Sequence, residues 1–186
     1  MVSQQIIESN FLPSFGVNLP EIDVRLECLN SSHEAFYLSI YSNADLMKYI
    51  RTQLSIEQIK SNFSKCLKHL SKQPPTYITY VINNSGAPLG LVSLKSAANN
   101  EVEFGIIIDV AYQGAGWSRC IKRHLYDYLF NHFAINSIVS YCDERNVVAN
   151  HINQTMGFEL AVHEQMERFN RVIKKWVCHV SSFINN

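Results

Sequence analysis

The stretch Asp109-Val110-Ala111-Tyr112-Gln113-Gly114-Ala115-Gly116-Trp117-Ser118 lies between a strand pattern and a long helical pattern, and its reading decides the fold. Two glycines let the backbone turn tightly and approach a ligand with no Cβ in the way. The helix beyond them begins with unpaired amides and the positive end of its dipole, a setting that suits a phosphate or pyrophosphate. The stretch is not a Walker loop, because the spacing differs and the Lys-Ser/Thr pair is missing, and it lacks the third glycine of a dinucleotide fingerprint. Taken alone, it also fits an ordinary Gly-rich connection.

Outward from this stretch the periodicities are clear. Glu101–Asp109 alternates, with Val102, Phe104, Ile106 and Ile108 on one face and Glu101, Glu103, Gly105 and Ile107 on the other. Before it, Thr76–Ile82 and Leu89–Leu94 read as a hairpin turning at Asn83–Gly86. After it, Gly116–His132 carries Trp117, Ile121, His124, Leu125 and Tyr128 at helical spacing. A strand at Ile138–Cys142, a helix from Val147 to Met156 closed by Gly157, and two tail strands turning near Asn170–Arg171 follow. Upstream, Val24–Leu29 alternates, and Ser31-x-x-Glu34 and Ser55-x-x-Gln58 read as capping boxes opening two helices. The second must stop before Pro74-Pro75. The order β-α-α-β-β-β-α-β-α-β-β predicts one mixed α/β domain over residues 21–186. Residues 1–20, broken by Pro13, Gly16 and Pro20, read as an irregular N-terminal extension.

The chain has 186 residues, 47% of them hydrophobic and 17% charged, enough apolar surface for a single core. Lys+Arg and Asp+Glu both number 16, so no global field draws in nucleic acid or anionic lipid, and neither is expected as a partner. No apolar run approaches the ~18 residues of a membrane span. The first residues lack a signal-peptide pattern, and the five widely spaced cysteines read as reduced thiols, so a cytoplasmic location is expected. With no HExxH and no CxxC, no metal site is expected.

Gln113-x-x-Gly116-x-Ser118 resembles the Q/R-x-x-G-x-G/A pyrophosphate loop of the Gcn5-related N-acetyltransferases, which use acetyl-CoA. Asn146-x-x-Ala149-x-x-Ile152 followed by Met156-Gly157-Phe158-Glu159 is similar to the family's N-x-x-S-x-x-L…GF signature. Asp23-Val-Arg-Leu-Glu and the two helices after it resemble the opening of Rim-type ribosomal-protein acetyltransferases, so the resemblance covers roughly residues 22–183. It implies a mostly antiparallel mixed sheet with splayed central strands, flanked by helices. It also implies that backbone amides of Gly114, Ala115, Gly116, Trp117 and Ser118 hold the pyrophosphate, with Gln113 shaping the loop. The pantetheine arm would add like a strand between the segments around Ile106–Asp109 and Ser140–Cys142, Ile107 and Ile108 contacting it and Asn146 hydrogen-bonding it. The amide of Ile107 or a neighbour would meet the acetyl oxygen.

Glu103 stands where many members carry the glutamate that deprotonates the amine; its other reading is a solvated strand residue. The family's thiolate acid is often Tyr where this chain has Asn153, and Ala149 replaces a frequent Ser. Tyr141 and Cys142 are substitutes for that acid, or packing residues. Tyr49 and Arg51, between the first two helices, would contact the acceptor or merely cover the cleft. Trp117 would stack on a base or, on the Ile121/Leu125 stripe, pack in the core.

The expected activity is direct acetyl transfer to a primary amine on a small molecule or peptide. The chain as a whole also resembles the acetyltransferase domain of microcin C self-immunity proteins. That likeness implies an aminoacyl-nucleotide antibiotic as acceptor, hence self-immunity and antibiotic resistance, and one domain of a longer chain. The alternatives are an N-terminal protein acetyltransferase and a non-catalytic acetyl-CoA-binding module.

Overall fold

In the computed structural model, which describes residues 12–13, 15–72, 74–168 and 171–184, the alternating segments assemble into one sheet. Its strands are β1 (Val17–Leu19), β2 (Val24–Cys28), β3 (Tyr77–Asn84), β4 (Ala87–Ser96), β5 (Glu101–Ile108), β6 (Ser137–Asp143), β7 (Glu159–Arg168) and β8 (Arg171–His179). They lie in the order β1-β2-β3-β4-β5-β6-β8-β7. Every pairing is antiparallel except β5 with β6. The helices are α1 (Glu34–Ser42), α2 (Ala44–Met47), α3 (Ile56–Leu70), α4 (Trp117–His132), α5 (Val147–Thr155) and α6 (Val180–Ile184). This is the mixed, mostly antiparallel architecture expected.

Two cores share the sheet because its strands alternate. On one face Phe104, Ile108, Ile138, Cys142 and Trp176 pack with Ile121, Leu125 and Leu129 of α4 and with Phe158. On the other, Val81 and Leu91 pack with Tyr37, Ile40, Ile59 and Phe63 of α1 and α3. The second core extends no further than Ile107, so β6 and β8 have no helix of that cluster over them.

Several local expectations need correction. Val17–Leu19, read as irregular, pairs with β2 and buries both end residues, because Val17 and Leu19 supply the period-two apolar face an edge strand needs. The cap before α1 is Asn30, not Ser31: its side chain accepts from Ser32 N at 2.9 Å, and His33 Nδ1 accepts from Asn30 N at 3.2 Å. A 3-10 turn, Ser31–His33, therefore precedes the α-helix. The segment read as a loop before Tyr49 opens with α2, whose first amides Asn43 caps. The turn expected near Asn170–Arg171 falls partly outside the described residues; the strands on either side are present.

Candidate active site

At the end of β5 the chain is locked before it turns. Asp109 Oδ1 accepts from Ala111 N at 3.1 Å, and Gln113 Nε2 donates to Ile108 O at 3.0 Å. The Gln113 side chain thus ties the loop back to the end of β5. Gly114 and Gly116 follow at φ of 79° and 82°, left-handed conformations that favour glycine. A Cβ at either position would meet no atom within 4 Å, so the space in front of the loop is open. Helix α4 starts at once, with no side-chain cap and no acid in its first turn. The amides of Trp117 and Ser118 have no earlier helical carbonyl to bond, which leaves the positive helix end for an anion. Trp117 packs at the edge of the core, as its place on the Ile121 stripe implies.

Beside this loop the sheet opens. β5 and β6 pair only at Glu101–Ser137, Val102–Ile138 and Glu103–Val139, and their bonding stops there. The ladder shows which groups enter the gap. Asp109 N bonds Leu89 O and Ala97 N bonds Glu101 O, so odd-numbered residues of β5 turn their backbone toward β4. Asn136 N bonds Asn100 O, so even-numbered ones turn toward β6. Ile106 and Ile108 thus present their amides to the gap. Ile107, the expected donor to an acetyl oxygen, has its amide committed to β4 opposite Leu91. Ile106 was missed because alternation in sequence shows two faces, whereas the edge a backbone group meets depends on strand partners.

Glu103 sits on the α1–α3 face of β5, its carboxylate 3.0 Å from Lys95 Nζ and its side chain 30% exposed. Tyr49 lies near Arg145, and Arg51 near Tyr41, both half-buried. Arg51 connects toward Glu103 through Tyr41 and Tyr77, each of which lies near the next.

On the opposite face Asn146 caps α5, accepting from Ala149 N at 3.1 Å. Its oxygen is occupied by the helix, which leaves its amide as the group able to meet a cofactor arm. Asn153 is fully buried. Its Oδ1 accepts from Lys122 Nζ at 2.6 Å and its Nδ2 donates to Cys142 Sγ at 3.3 Å. It is thus a core tether, with no contact to solvent. Burial pushes the Cys142 thiol up, which weakens it as an acid, and pushes the Lys122 ammonium down to about 8. Lys122 was not singled out from sequence. Its signal was a lysine four residues before Tyr126 and three before Leu125, on the inward stripe of α4. Among the described residues no group of three or more His, Cys, Asp or Glu is placed to hold a metal.

A search of curated proteins finds no match. Among solved structures, a spermidine N-acetyltransferase from Vibrio cholerae in complex with CoA and spermine superposes with TM-score 0.75 at 22% identity, covering 88% of this chain and 99% of that one. An acetyltransferase from Salmonella typhimurium, described as modifying the N-terminal serine of ribosomal protein L7/L12, gives TM-score 0.75 at 18% identity, covering 89% and 99%. An aminoglycoside acetyltransferase in complex with coenzyme A gives 0.72 at 13%, covering 88% and 98%. A family profile described as acetyltransferase (GNAT) domain matches residues 23–159, which takes in β2, the open gap, the glycine loop and α5. The chain therefore belongs to the GNAT acetyltransferase family.

Proposed function

We propose that this chain moves the acetyl group of acetyl-CoA to the primary amine of an aminoacyl-nucleotide. The observation that carries the acetyltransferase reading is the gap between β5 and β6 running up to the uncapped start of α4. The residues fit the cofactor: Gly114 and Gly116 leave an open cradle, and the gap exposes strand edges to an extended arm. Bound acetyl-CoA supplies the activated thioester.

The chain's own groups do the rest. Amides of Gly114, Ala115, Gly116, Trp117 and Ser118 bind phosphate oxygens, and Gln113 keeps the loop in place. The inward amides of Ile106 and Ile108 orient the arm and polarise the acetyl carbonyl. Glu103, paired with Lys95, takes the proton of the attacking amine, directly or through a water. No Cys–His pair is needed, because the amine attacks without a covalent enzyme intermediate.

One observation favours a second reading, a binding module without catalysis: Asn153, where many relatives have a tyrosine acid, is a buried tether. Release of free CoA thiol from acetyl-CoA decides between them. The amine panel contains an aminoacyl-sulfamoyl adenosine, N-terminal peptides, spermidine and an aminoglycoside. Release with the adenosine compound alone supports the aminoacyl-nucleotide acceptor, and release with peptides alone moves the acceptor to protein N-termini. Silence throughout, with acetyl-CoA still bound in calorimetry, establishes the module.

A further inference from the structure

At the far end of the α1–α3 face, beyond the last β5–β6 pair, two arginines gather on one buried acid. Alternation places Tyr141 and Asp143 of β6 on the same face as Glu101 and Glu103 of β5, with Ile173 and Lys175 of β8 beside them in register. Contacts agree with this placement, since Lys175 Nζ lies 3.8 Å from Glu101 Oε1 across β6. Two of the cations here are matched one to one: Lys95 with Glu103 at 3.0 Å, and Lys175 with Glu101. The third acid is shared. The Asp143 carboxylate, 0% exposed, receives Arg145 Nη2 at 2.7 Å and Arg145 Nε at 3.0 Å, while Arg171 Nε stands 3.9 Å away. Two guanidiniums therefore face one carboxylate, which already accepts three hydrogen bonds from Arg145, while Glu144 also lies near Arg145.

Arg171 is left under-partnered. Its side chain is only 18% exposed, and its Nη1 is buried with no hydrogen-bond partner among the described residues. A buried guanidinium N–H without an acceptor is costly, and more so when the group is charged. Arg51, near Tyr41, repeats the pattern with a buried Nε that has no partner among the described residues. Tyr49 lies near Arg145.

This cluster lies beyond the last β5–β6 pair, Glu103–Val139: Asp143 stands four residues past it on β6, where the two strands are no longer bonded.

We infer that the acceptor carries an anionic group, a phosphate-type ester or a carboxylate, that docks on Arg171 and Arg145 at the β6–β8 end of the cleft. This rests on the acetyltransferase reading and narrows its acceptor. Arginine is suited to the role because its planar fork takes two oxygens at once. A polycation such as spermidine would meet like charge at this end.

The test reads binding rather than turnover, so that it stands apart from the thiol-release assay. The protein is saturated with unacetylated CoA and titrated with matched probes. In the nucleotide arm, phenylalanyl-sulfamoyl adenosine, which is anionic, is compared with 5′-deoxy-5′-(phenylalanylamino)adenosine, which is neutral at the linkage. In the peptide arm, Ser-Asp-Ala-amide is compared with Ser-Asn-Ala-amide, and spermidine is run beside both. The expected result is that the anionic member of one pair binds about 10-fold tighter or more, as a charge-assisted bidentate contact implies. That arm then identifies the source of the anion. Arg171→Gln is expected to bring the pair within about 3-fold, with CoA affinity unchanged, and Arg171→Lys to keep part of the preference. The inference is overturned by equal or weaker binding of both anionic probes, including no binding at millimolar concentration. It is equally overturned by a preference that survives Arg171→Gln in a folded variant, or by spermidine binding tightest.

Discussion

Helices α3 and α4 differ most at their first turns. At α3, Ser55 and Gln58 close a reciprocal box: Gln58 N donates to Ser55 Oγ at 3.3 Å and Ser55 N donates to Gln58 Oε1 at 2.9 Å. Glu57 adds a carboxylate to the same turn. The box and the acid together answer part of the orphan donors and the dipole from within the helix. At α4 the cap position is Gly116, left-handed, with no side chain and no acid after it. Its orphan donors can be satisfied only from outside. A self-sufficient helix end contributes to stability, whereas an unanswered one holds binding capacity, and the protein places the second where the sheet opens.

If that contrast is right, a change at the open end costs function and spares the fold, and a change at a closed one does the reverse. The largest effect is expected from Gly116→Asp, which makes the start of α4 resemble that of α3. A carboxylate in the cradle repels the pyrophosphate and competes for its amides, so acetyl-CoA affinity should fall ~10³-fold, while the left-handed backbone at this position costs only about 1 kcal/mol of stability. Calorimetric titration with acetyl-CoA checks this, and retained affinity would remove the loop from the binding role.

Next in size is the pH response of the buried tether. Burial holds the folded pKa of Lys122 down at about 8, below the 10.5 of a lysine in water. Between those values the unfolded chain holds the extra proton, so the contribution of this group to stability rises with pH across the window, by about 3 kcal/mol in total. Lys122→Met should abolish that rise. Urea unfolding of both proteins from pH 7.5 to 10.5 reads it as a difference between curves, which cancels the tyrosines and thiols that titrate in the same range. Parallel curves would show that the ammonium is not desolvated.

Glu103→Gln keeps the strand and removes the proton acceptor. Turnover with a competent amine should drop ~10²-fold, with acetyl-CoA affinity nearly unchanged. An unaltered rate would leave Glu103 only as the partner of Lys95. Smallest is Ser55→Ala, expected to lower stability by about 1 kcal/mol through the lost cap, with cofactor binding and turnover as in the parent. A loss of binding there would undo the separation of the two helix ends.

Legibility from sequence followed the range of the forces involved. Pro74-Pro75, the Ser55 box and the alternation of Glu101–Ile108 act within a few residues, and the elements they imply are present in the structure. Asn30 took the cap expected of Ser31 because two neighbouring polar residues offered the same local chemistry, and His33 decided between them. The loop from Gln113 to Ser118 was legible because its glycines are required by backbone conformation rather than by any distant partner.

Other assignments depended on partners far along the chain. That Ile106 and Ile108, rather than Ile107, face the gap follows from which edge of β5 meets β4, a choice alternation cannot express. That Asn153 is a tether depends on Lys122, 31 positions earlier, and on Cys142. That Arg171 faces the acceptor end depends on Asp143, which only the β6–β8 register brings near. The sequence by itself determined the elements, their order and the glycine loop, because capping, turning and periodicity are settled between near neighbours. The tertiary structure decided which backbone edges are open, which polar groups are spent on one another and where charge is left over. Those properties belong to pairs of residues, and the pairs exist only once the sheet has formed.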